Sequence, residues 1–169
     1  MKKIRVAIIG QGRSGYNIHA HLFGELSELF DVKAVADLLP ERLEDAKRDF
    51  GCDGYTDYHK ILTRDDIDLV VNSSPSHYHV SISMEVLEAG FNLLCEKPLA
   101  QREEEVSWLI AKAAEKGLFF NVYQQSRFAP YFQKVRKVIN SGVLGRIVQI
   151  KLAFNGFARR WDWQTLQDY

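Results

Sequence analysis

Apolar positions along residues 1–123 follow two alternating patterns, which predict strands separated by helices. Short apolar runs, typical of strands buried on both faces of a parallel sheet, lie at 4–9, 31–37, 67–72, 91–95 and 118–122. Between them, apolar residues recur at helical spacing and predict helices over about 14–29, 41–50, 80–90 and 106–116. The stretch 51–58 is rich in turn residues. This alternation predicts one doubly wound α/β domain over residues 1–123.

The pattern changes after residue 123. Helical spacing of apolar residues predicts a further helix that ends near Ser141 and Gly142. Within the run 146–154, the alternate residues Val148, Ile150, Leu152 and Phe154 are all apolar, while the residues between them include the polar Gln149 and Lys151. This pattern is typical of a strand with one buried face in an antiparallel sheet. Residues 155–169, which follow the run, are too few to complete such a sheet. The expectation is the start of a truncated second, α+β domain for substrate binding and oligomerisation.

The glycine motif at the end of the first strand gives the first chemical indication. Residues 10–15 read Gly10-Gln11-Gly12-Arg13-Ser14-Gly15, a G-x-G-x-x-G between a predicted strand and a predicted helix. Gly10 permits a tight turn, Gly12 lets a pyrophosphate approach the backbone, and Gly15 lets the helix pack closely on the sheet. The helix N-terminus would bind the phosphates. Without this context, the motif is also compatible with an ordinary turn.

The second predicted strand ends in an acid, Asp37, roughly 20 residues beyond the glycine motif, where a carboxylate accepts hydrogen bonds from the adenosine ribose. Its charge favours NAD over NADP. An alternative is that Asp37 caps the next helix. Arg42 would instead favour NADP, because a guanidinium accommodates the 2′-phosphate of that coenzyme.

Further candidate residues follow the later strands, at the edge where ligands bind in open α/β sheets. Ser73, Ser74, Pro75 and His79 follow one strand, and Lys97 follows the next. A lysine there could donate a hydrogen bond to a substrate hydroxyl or relay its proton, although most lysines are solvated surface residues. A histidine in such a loop is also more often a structural hydrogen-bonding group than an acid–base group.

Composition excludes several classes of protein. The chain has 169 residues, 46% hydrophobic and 26% charged, as expected of a soluble globular protein. Lys+Arg and Asp+Glu are equal at 22 each, so we expect neither a nucleic-acid partner nor a membrane partner, despite the cluster Arg159-Arg160-Trp161-Asp162-Trp163. The opening apolar run is too short for a signal peptide, and we expect a cytoplasmic protein.

Residue spacing also argues against a metal centre or a disulfide. Cys52 and Cys95 are far apart and form no C-x-x-C motif. His19 and His21, two residues apart, would not share a helix face, and no carboxylate spacing completes a ligand set. We therefore expect no metal site.

Taken together, the chain resembles the amino-terminal part of the glucose–fructose oxidoreductase/inositol dehydrogenase (Gfo/Idh/MocA) family. The resemblance rests on five stretches in order, which are 6–12 (VAIIGQG), Ala36-Asp37 with Arg42, Ser74-Pro75 with His79, 96–100 (EKPLA), and Arg127-Phe128 followed by 142–147 (GVLGRI). The Glu-Lys-Pro after the fifth strand is more specific than the glycine motif.

The resemblance implies an NAD(P)-dependent oxidoreductase that moves hydride between a nicotinamide and a sugar, polyol or related hydroxyl carbon. Lys97 would be the catalytic residue and would lie with Glu96 near the nicotinamide, and Lys97-Pro98 would be a cis bond. The cofactor-binding residues would be Gly10, Gln11, Gly12, Arg13, Ser14, Gly15, Asp37, Arg42, Ser73, Ser74, Pro75, His79, Glu96, Lys97 and Gln125.

One departure from the family limits the expected activity. Family members continue into a sheet domain with an Asp-x-x-x-His motif, which these 169 residues do not contain. We therefore expect the chain alone to bind NAD with little or no turnover. We also expect a homo-oligomer, at least a dimer. The alternative is a non-catalytic nucleotide-binding or protein-interaction module.

Overall fold

The computed structural model describes residues 2–153 and 155–156. The chain divides into two compact units, Met1–Gln125 and Ser126–Tyr169. Within the described residues, no helix is long and apolar enough to cross a membrane.

The first unit is built on one parallel sheet of six strands. The strands are β1 (Ile4–Ile9), β2 (Phe30–Ala36), β3 (Asp53–Tyr55), β4 (Leu69–Asn72), β5 (Asn92–Cys95) and β6 (Phe120–Val122). They lie in the order β3-β2-β1-β4-β5-β6. The chain therefore runs outward in both directions from the β1–β4 pair, which confirms the predicted doubly wound fold.

Helices connect successive strands. A π-helical turn, Gly15–Ala20, leads into α1 (His21–Glu25), and α2 (Pro40–Phe50), α3 (His59–Leu62), α4 (His79–Glu88) and α5 (Glu103–Glu115) follow. Short 3₁₀ helices occupy Ser76–Tyr78 and Gln125–Phe128. In the second unit the structure describes α6 (Pro130–Asn140), which agrees with the helix predicted there.

Alternate residues of the strands face two separate hydrophobic cores. In β1, Val6 and Ile8 pack on one face of the sheet with Phe23 of α1 and Leu43 of α2. Ala7 and Ile9 pack on the other face, in a core that includes Ile61, Val86 and Leu109 from α3, α4 and α5. Because helices cover both faces, the strands read as continuous apolar runs rather than alternating ones.

Three predicted elements differ from the structure. The helix predicted over 14–29 ends at Glu25, because residues 26–29 form the turns that bring the chain directly into β2. Within the stretch 51–58, interpreted as turns, β3 was missed, and α3 was missed directly after it, since both elements are too short to show a period. Residues 147–153 form no strand, and Phe154 lies outside the described residues.

The absent strand has a physical reason. A strand needs a neighbour that pairs with its backbone N–H and C=O groups, and the described part of the second unit contains no other strand. Its alternating sequence was therefore not sufficient to predict an ordered strand.

Leu109 and Ile110 are adjacent on α5 but lie in different environments, which permits a matched test of the core. Leu109 is fully buried, whereas Ile110 is 56% exposed. We expect Leu109→Ala to lower the free energy of unfolding by about 2–5 kcal/mol, because it leaves a cavity between α5 and the sheet. Ile110→Ala should change it by less than about 0.5 kcal/mol. Urea unfolding followed by circular dichroism measures both, and equal losses would contradict this assignment of the core.

Candidate functional site

The candidate site lies at the carboxyl edge of the sheet, the side at which the parallel strands end. Backbone hydrogen bonds continue across this edge one residue beyond the strands, where Gly10 N donates to Ala36 O (2.7 Å), Ser73 N to Ile9 O (2.8 Å) and Glu96 N to Asn72 O (2.9 Å). The residues that follow β2, β1, β4 and β5 are therefore held side by side, in that order.

The glycine loop, residues 10–15, packs tightly at two of its three glycines. Gly10 has a φ of +90°, and a Cβ there would lie 2.5 Å from the carbonyl oxygen of Ser73. A Cβ on Gly15 would overlap the carbonyl oxygen of Gly10 and lie 2.7 Å from Ser73 Oγ. A Cβ on Gly12, in contrast, would meet only Arg42 Nη1, at 3.8 Å. The tight turn predicted at Gly10 and the close packing predicted at Gly15 thus agree with the structure, and the backbone at Gly12 is open.

Arg13 and Ser14 lie where this loop enters the π-helical turn, and the Arg13 side chain is exposed. Gln11 is only 3% exposed, with its Nε2 donating to Gly10 O (3.3 Å). Gln11 Oε1 is buried and has no hydrogen-bond partner among the described residues.

Asp37 and Arg42, which were predicted to have opposite effects on the preference for NAD or NADP, are in direct contact. The carboxylate of Asp37 accepts hydrogen bonds from the backbone N–H of Gln11 (2.7 Å) and Leu39 (3.0 Å). Arg42 Nη1 lies 3.2 Å from the same carboxylate. Asp37 is nearly buried, its side chain 8% exposed, while that of Arg42 is 43% exposed. Asp37 thus joins the glycine loop to the turn before α2. The alternative role as a helix cap is wrong, because the N-cap of α2 is Leu39 and no side chain caps this end of the helix.

The loop after β4 is fixed to the glycine loop from the other side. Ser73 Oγ lies within hydrogen-bond distance of two carbonyl oxygens to which it can donate, Ile9 O (3.0 Å) and Gly10 O (2.8 Å). Ser74 Oγ donates to Asn72 Oδ1 (2.7 Å). Pro75 follows, exposed at the loop surface.

His79 is 2% exposed, and its ring nitrogens lie 2.9 Å from Ser74 O and 2.6 Å from Pro98 O. His79 therefore connects the exit of β4 to the exit of β5 from within the protein.

The segment after β5 places neighbouring side chains in opposite environments. Glu96 is 5% exposed, with Oε1 3.0 Å from His19 Nε2 and Oε2 accepting the backbone N–H of Lys97 (3.1 Å). Lys97 itself is exposed, and its ammonium makes no hydrogen bond or ion pair with any described residue. The Lys97-Pro98 bond is cis, as the resemblance implies. These three residues, Glu96–Pro98, are called the Lys97 loop below.

Two opposing influences set the pKa of Glu96. Burial raises it, but the hydrogen bond and charge of His19, together with the backbone N–H of Lys97, outweigh burial and hold the pKa below its usual range. The carboxylate form of Glu96 is thus favoured inside the protein.

Gln125 is exposed, just after β6, and β6 is joined to this edge by Tyr123 N, which donates to Cys95 O (2.8 Å). From the sequence, His19 was considered only as a metal ligand. The described residues contain no cluster of three or more His, Cys, Asp or Glu side chains that could hold a metal ion. His19 lies four residues from both Gly15 and Phe23, and all three residues are buried on one face of the helical segment. This spacing was the signal that could have identified His19 as a buried residue.

Residues 4–124 match the model of an oxidoreductase family with an NAD-binding Rossmann fold. The chain is 29% identical to a 2,7-anhydro-N-acetylneuraminate hydratase of Mediterraneibacter gnavus over 99% of its length and 45% of that protein. It is 30% identical to the NADP(+)-dependent scyllo-inositol 2-dehydrogenase IolW of Bacillus subtilis, over 91% of this chain and 42% of that one.

Among solved structures, the WlbA dehydrogenase from Chromobacterium violaceum, in complex with NADH and UDP-GlcNAcA, superimposes with a TM-score of 0.81 at 29% identity. The match covers 86% of this chain and 42% of the other. The chain spans less than half the length of these relatives.

Gly15 and Gly12 lie in the same loop but differ in the space around them, which permits a matched test of the packing. We expect Gly15→Ala to lower the free energy of unfolding by about 1–3 kcal/mol or more, because the added methyl group overlaps Gly10 O. Gly12→Ala should change it by less than about 0.5 kcal/mol, since its nearest neighbour is at ordinary contact distance. Thermal and urea unfolding test this, and a stable Gly15→Ala protein would show that the packing differs from that described.

Proposed function

We propose, from the premise that the chain belongs to the oxidoreductase family with an NAD-binding Rossmann fold, that residues 1–125 bind NAD(H) at the carboxyl edge. We further propose that the whole protein transfers hydride between this coenzyme and a hydroxyl-bearing carbon of a sugar or polyol. The observation that carries the proposal is the arrangement of Asp37, the glycine loop, Ser73-Ser74 and Lys97 on four neighbouring strand exits.

Two features of the chain fit the coenzyme. Gly12 leaves the backbone open at the start of a helical segment, where N–H groups and the helix dipole attract a pyrophosphate. Gln11 Oε1 is a buried acceptor without a partner among the described residues, and a ribose hydroxyl would satisfy it. In this proposal Gly10 and Gly15 shape the loop, and Arg13 and Ser14 complete the pyrophosphate site.

At the adenosine end, Asp37 and Arg42 are proposed to contact the ribose and to favour NAD over NADP. Arg42 is already paired with Asp37, so its charge is compensated. The 2′-phosphate of NADP would gain little from the pair and would lie near a carboxylate. The similarity to both an NADH-bound and an NADP(+)-dependent relative makes this preference worth measuring.

At the nicotinamide end, Lys97 is the proposed catalytic residue. A bound nicotinamide supplies the hydride acceptor or donor. The Lys97 ammonium is exposed and free of ion pairs within the described residues, so it can donate a hydrogen bond to the substrate hydroxyl oxygen or relay its proton. Ser73, Ser74, Pro75 and Gln125 are proposed to line the cleft, while Glu96 and His79 support it from within.

For this chain alone we propose coenzyme binding with little or no turnover. The described part of the second unit supplies one α-helix, a short 3₁₀ helix at its start and no strand, whereas the resemblance implies a substrate site built on a sheet. The polyol class is supported by the similarity to an inositol dehydrogenase. We also propose a homo-oligomer, supported by four large apolar side chains of the first unit that are more than half exposed, Leu38, Trp108, Ile110 and Phe119.

Calorimetric titration of the purified chain with NADH tests the proposal. We expect micromolar affinity for the wild type. Gly12→Ala should weaken binding by more than about tenfold while unfolding like the wild type, because its methyl group obstructs only the open side of the loop. Absence of NADH and NADPH binding by a folded wild type would reject the proposed function.

Asp37→Asn tests the proposed coenzyme preference. The amide oxygen still accepts from Gln11 N–H, but the charge is lost and Arg42 becomes available to a phosphate. We expect the ratio of NADPH to NADH affinity to rise by about tenfold.

Arg48→Ala is the matched control for this change. It removes an exposed arginine of the same helix that pairs with Asp45 and Asp49, and the ratio should stay unchanged. A ratio unaffected by Asp37→Asn would contradict the role assigned to Asp37.

A further inference from the structure

We propose that His19 and Glu96 are a buried positioning pair that holds the Lys97 loop in place and joins it to the glycine loop. The inference rests on the proposed function, in which Lys97 acts beside the nicotinamide. His19 and Glu96 are 77 positions apart in sequence, yet His19 Nε2 and Glu96 Oε1 lie 3.0 Å apart. Neither residue is assigned contact with the reacting atoms, so both act through Lys97.

The pair is shielded from water. The side chains of His19 and Glu96 are 1% and 7% exposed. The His19 ring stacks against Phe23, with centroids 6.3 Å apart, and packs edge-on against Tyr123 at 4.6 Å. A buried carboxylate that loses its hydrogen-bond partner is costly, so Glu96 depends on His19 for its orientation.

Glu96 transmits this orientation to the backbone of Lys97. Its second oxygen, Oε2, accepts the Lys97 N–H at 3.1 Å, so one carboxylate connects His19 to the peptide group that carries the exposed lysine. On the other side of Lys97, the carbonyl oxygen of Pro98 lies 2.6 Å from His79 Nδ1. The exposed lysine is therefore flanked by two residues that buried histidines fix in place.

The position of His19 connects this arrangement to the glycine loop. His19 lies in the π-helical turn that begins at Gly15, and Gly15 packs against Gly10. Single π turns within helices are rare and are frequent at functional sites. The segment proposed to hold the pyrophosphate and the segment that carries Lys97 thus share one buried contact, which fixes the spacing between the two ends of the coenzyme site.

The test compares His19→Phe with His19→Gln. Phenylalanine keeps a buried ring but leaves Glu96 without its donor, whereas the glutamine amide can still donate to Glu96 Oε1. His21→Phe is the matched control, because His21 is an exposed histidine of the same helical segment.

The first readout needs no coenzyme. Amide hydrogen exchange, resolved at Lys97, should rise by about tenfold in His19→Phe beyond any change at Ile8 in the core. His19→Gln and His21→Phe should resemble the wild type. If His19→Phe does not fold, Glu96→Gln provides the same test, since an amide oxygen accepts the Lys97 N–H more weakly than a carboxylate does, and exchange at Lys97 should rise in the same way.

The second readout is the protection of Lys97 by saturating NADH against an amine-acylating reagent, quantified by peptide mass spectrometry. We expect protection in the wild type, loss of protection in His19→Phe and recovery in His19→Gln. A purely structural histidine would lower stability and leave protection at saturation intact. Unchanged Lys97 exchange in His19→Phe would overturn the inference. Faster Lys97 exchange without NADH binding to the wild type would instead reject the proposed function and retain the pair.

Discussion

The parallel hydrogen-bonding pattern that continues one residue beyond the strands is the constraint on which the site depends. Gly10, Ser73 and Glu96 each donate a backbone hydrogen bond to the last residue of a neighbouring strand. This leaves the next residues of each loop little freedom to move along the sheet. Side chains from four loops consequently meet at fixed spacing, although their positions in sequence extend from Gly10 to Lys97. Close packing at Gly15 then fixes the first helical segment against the same edge.

The residues at this edge divide into a set that is accessible to solvent and a set that is nearly buried. Arg42, Pro75 and Lys97 are accessible from solvent, whereas Asp37, His79 and Glu96 are nearly buried and bond mainly to backbone groups of neighbouring loops. The buried set satisfies groups that would otherwise be costly inside the protein, and it restricts the loops that carry the accessible set. Such support is what a site needs if its exposed groups are to be placed with little loss of entropy on binding.

Much of this arrangement could be predicted from the sequence, because its signals are local. The run Ile4–Ile9 followed by three spaced glycines predicted strand, turn and helix together, and the strand order of the sheet confirms the doubly wound fold. The acid at Asp37 and the Glu-Lys-Pro were likewise visible as residues that end strands. What could not be predicted depends on contacts between distant residues. The contact of Asp37 with Arg42 required the turn at Leu39, and that of His19 with Glu96 required the π-helical turn. The strand predicted over 146–154 was wrong for its described residues because periodicity does not supply a pairing partner.

The junction between β1 and β4 has a consequence for how the protein assembles. Residues 4–55 form strands β1, β2 and β3 on one side of this junction, and residues 69–122 form β4, β5 and β6 on the other. The glycine loop and Asp37 belong to the first half, while Ser73 and Lys97 belong to the second. Neither half contains all the loops that are proposed to bind the coenzyme, so on this proposal affinity for a dinucleotide would arise only when the two halves associate. A protein divided in the connection between Tyr55 and Leu69 would therefore be a natural candidate for fragment complementation, with the nucleotide favouring the reassembled form.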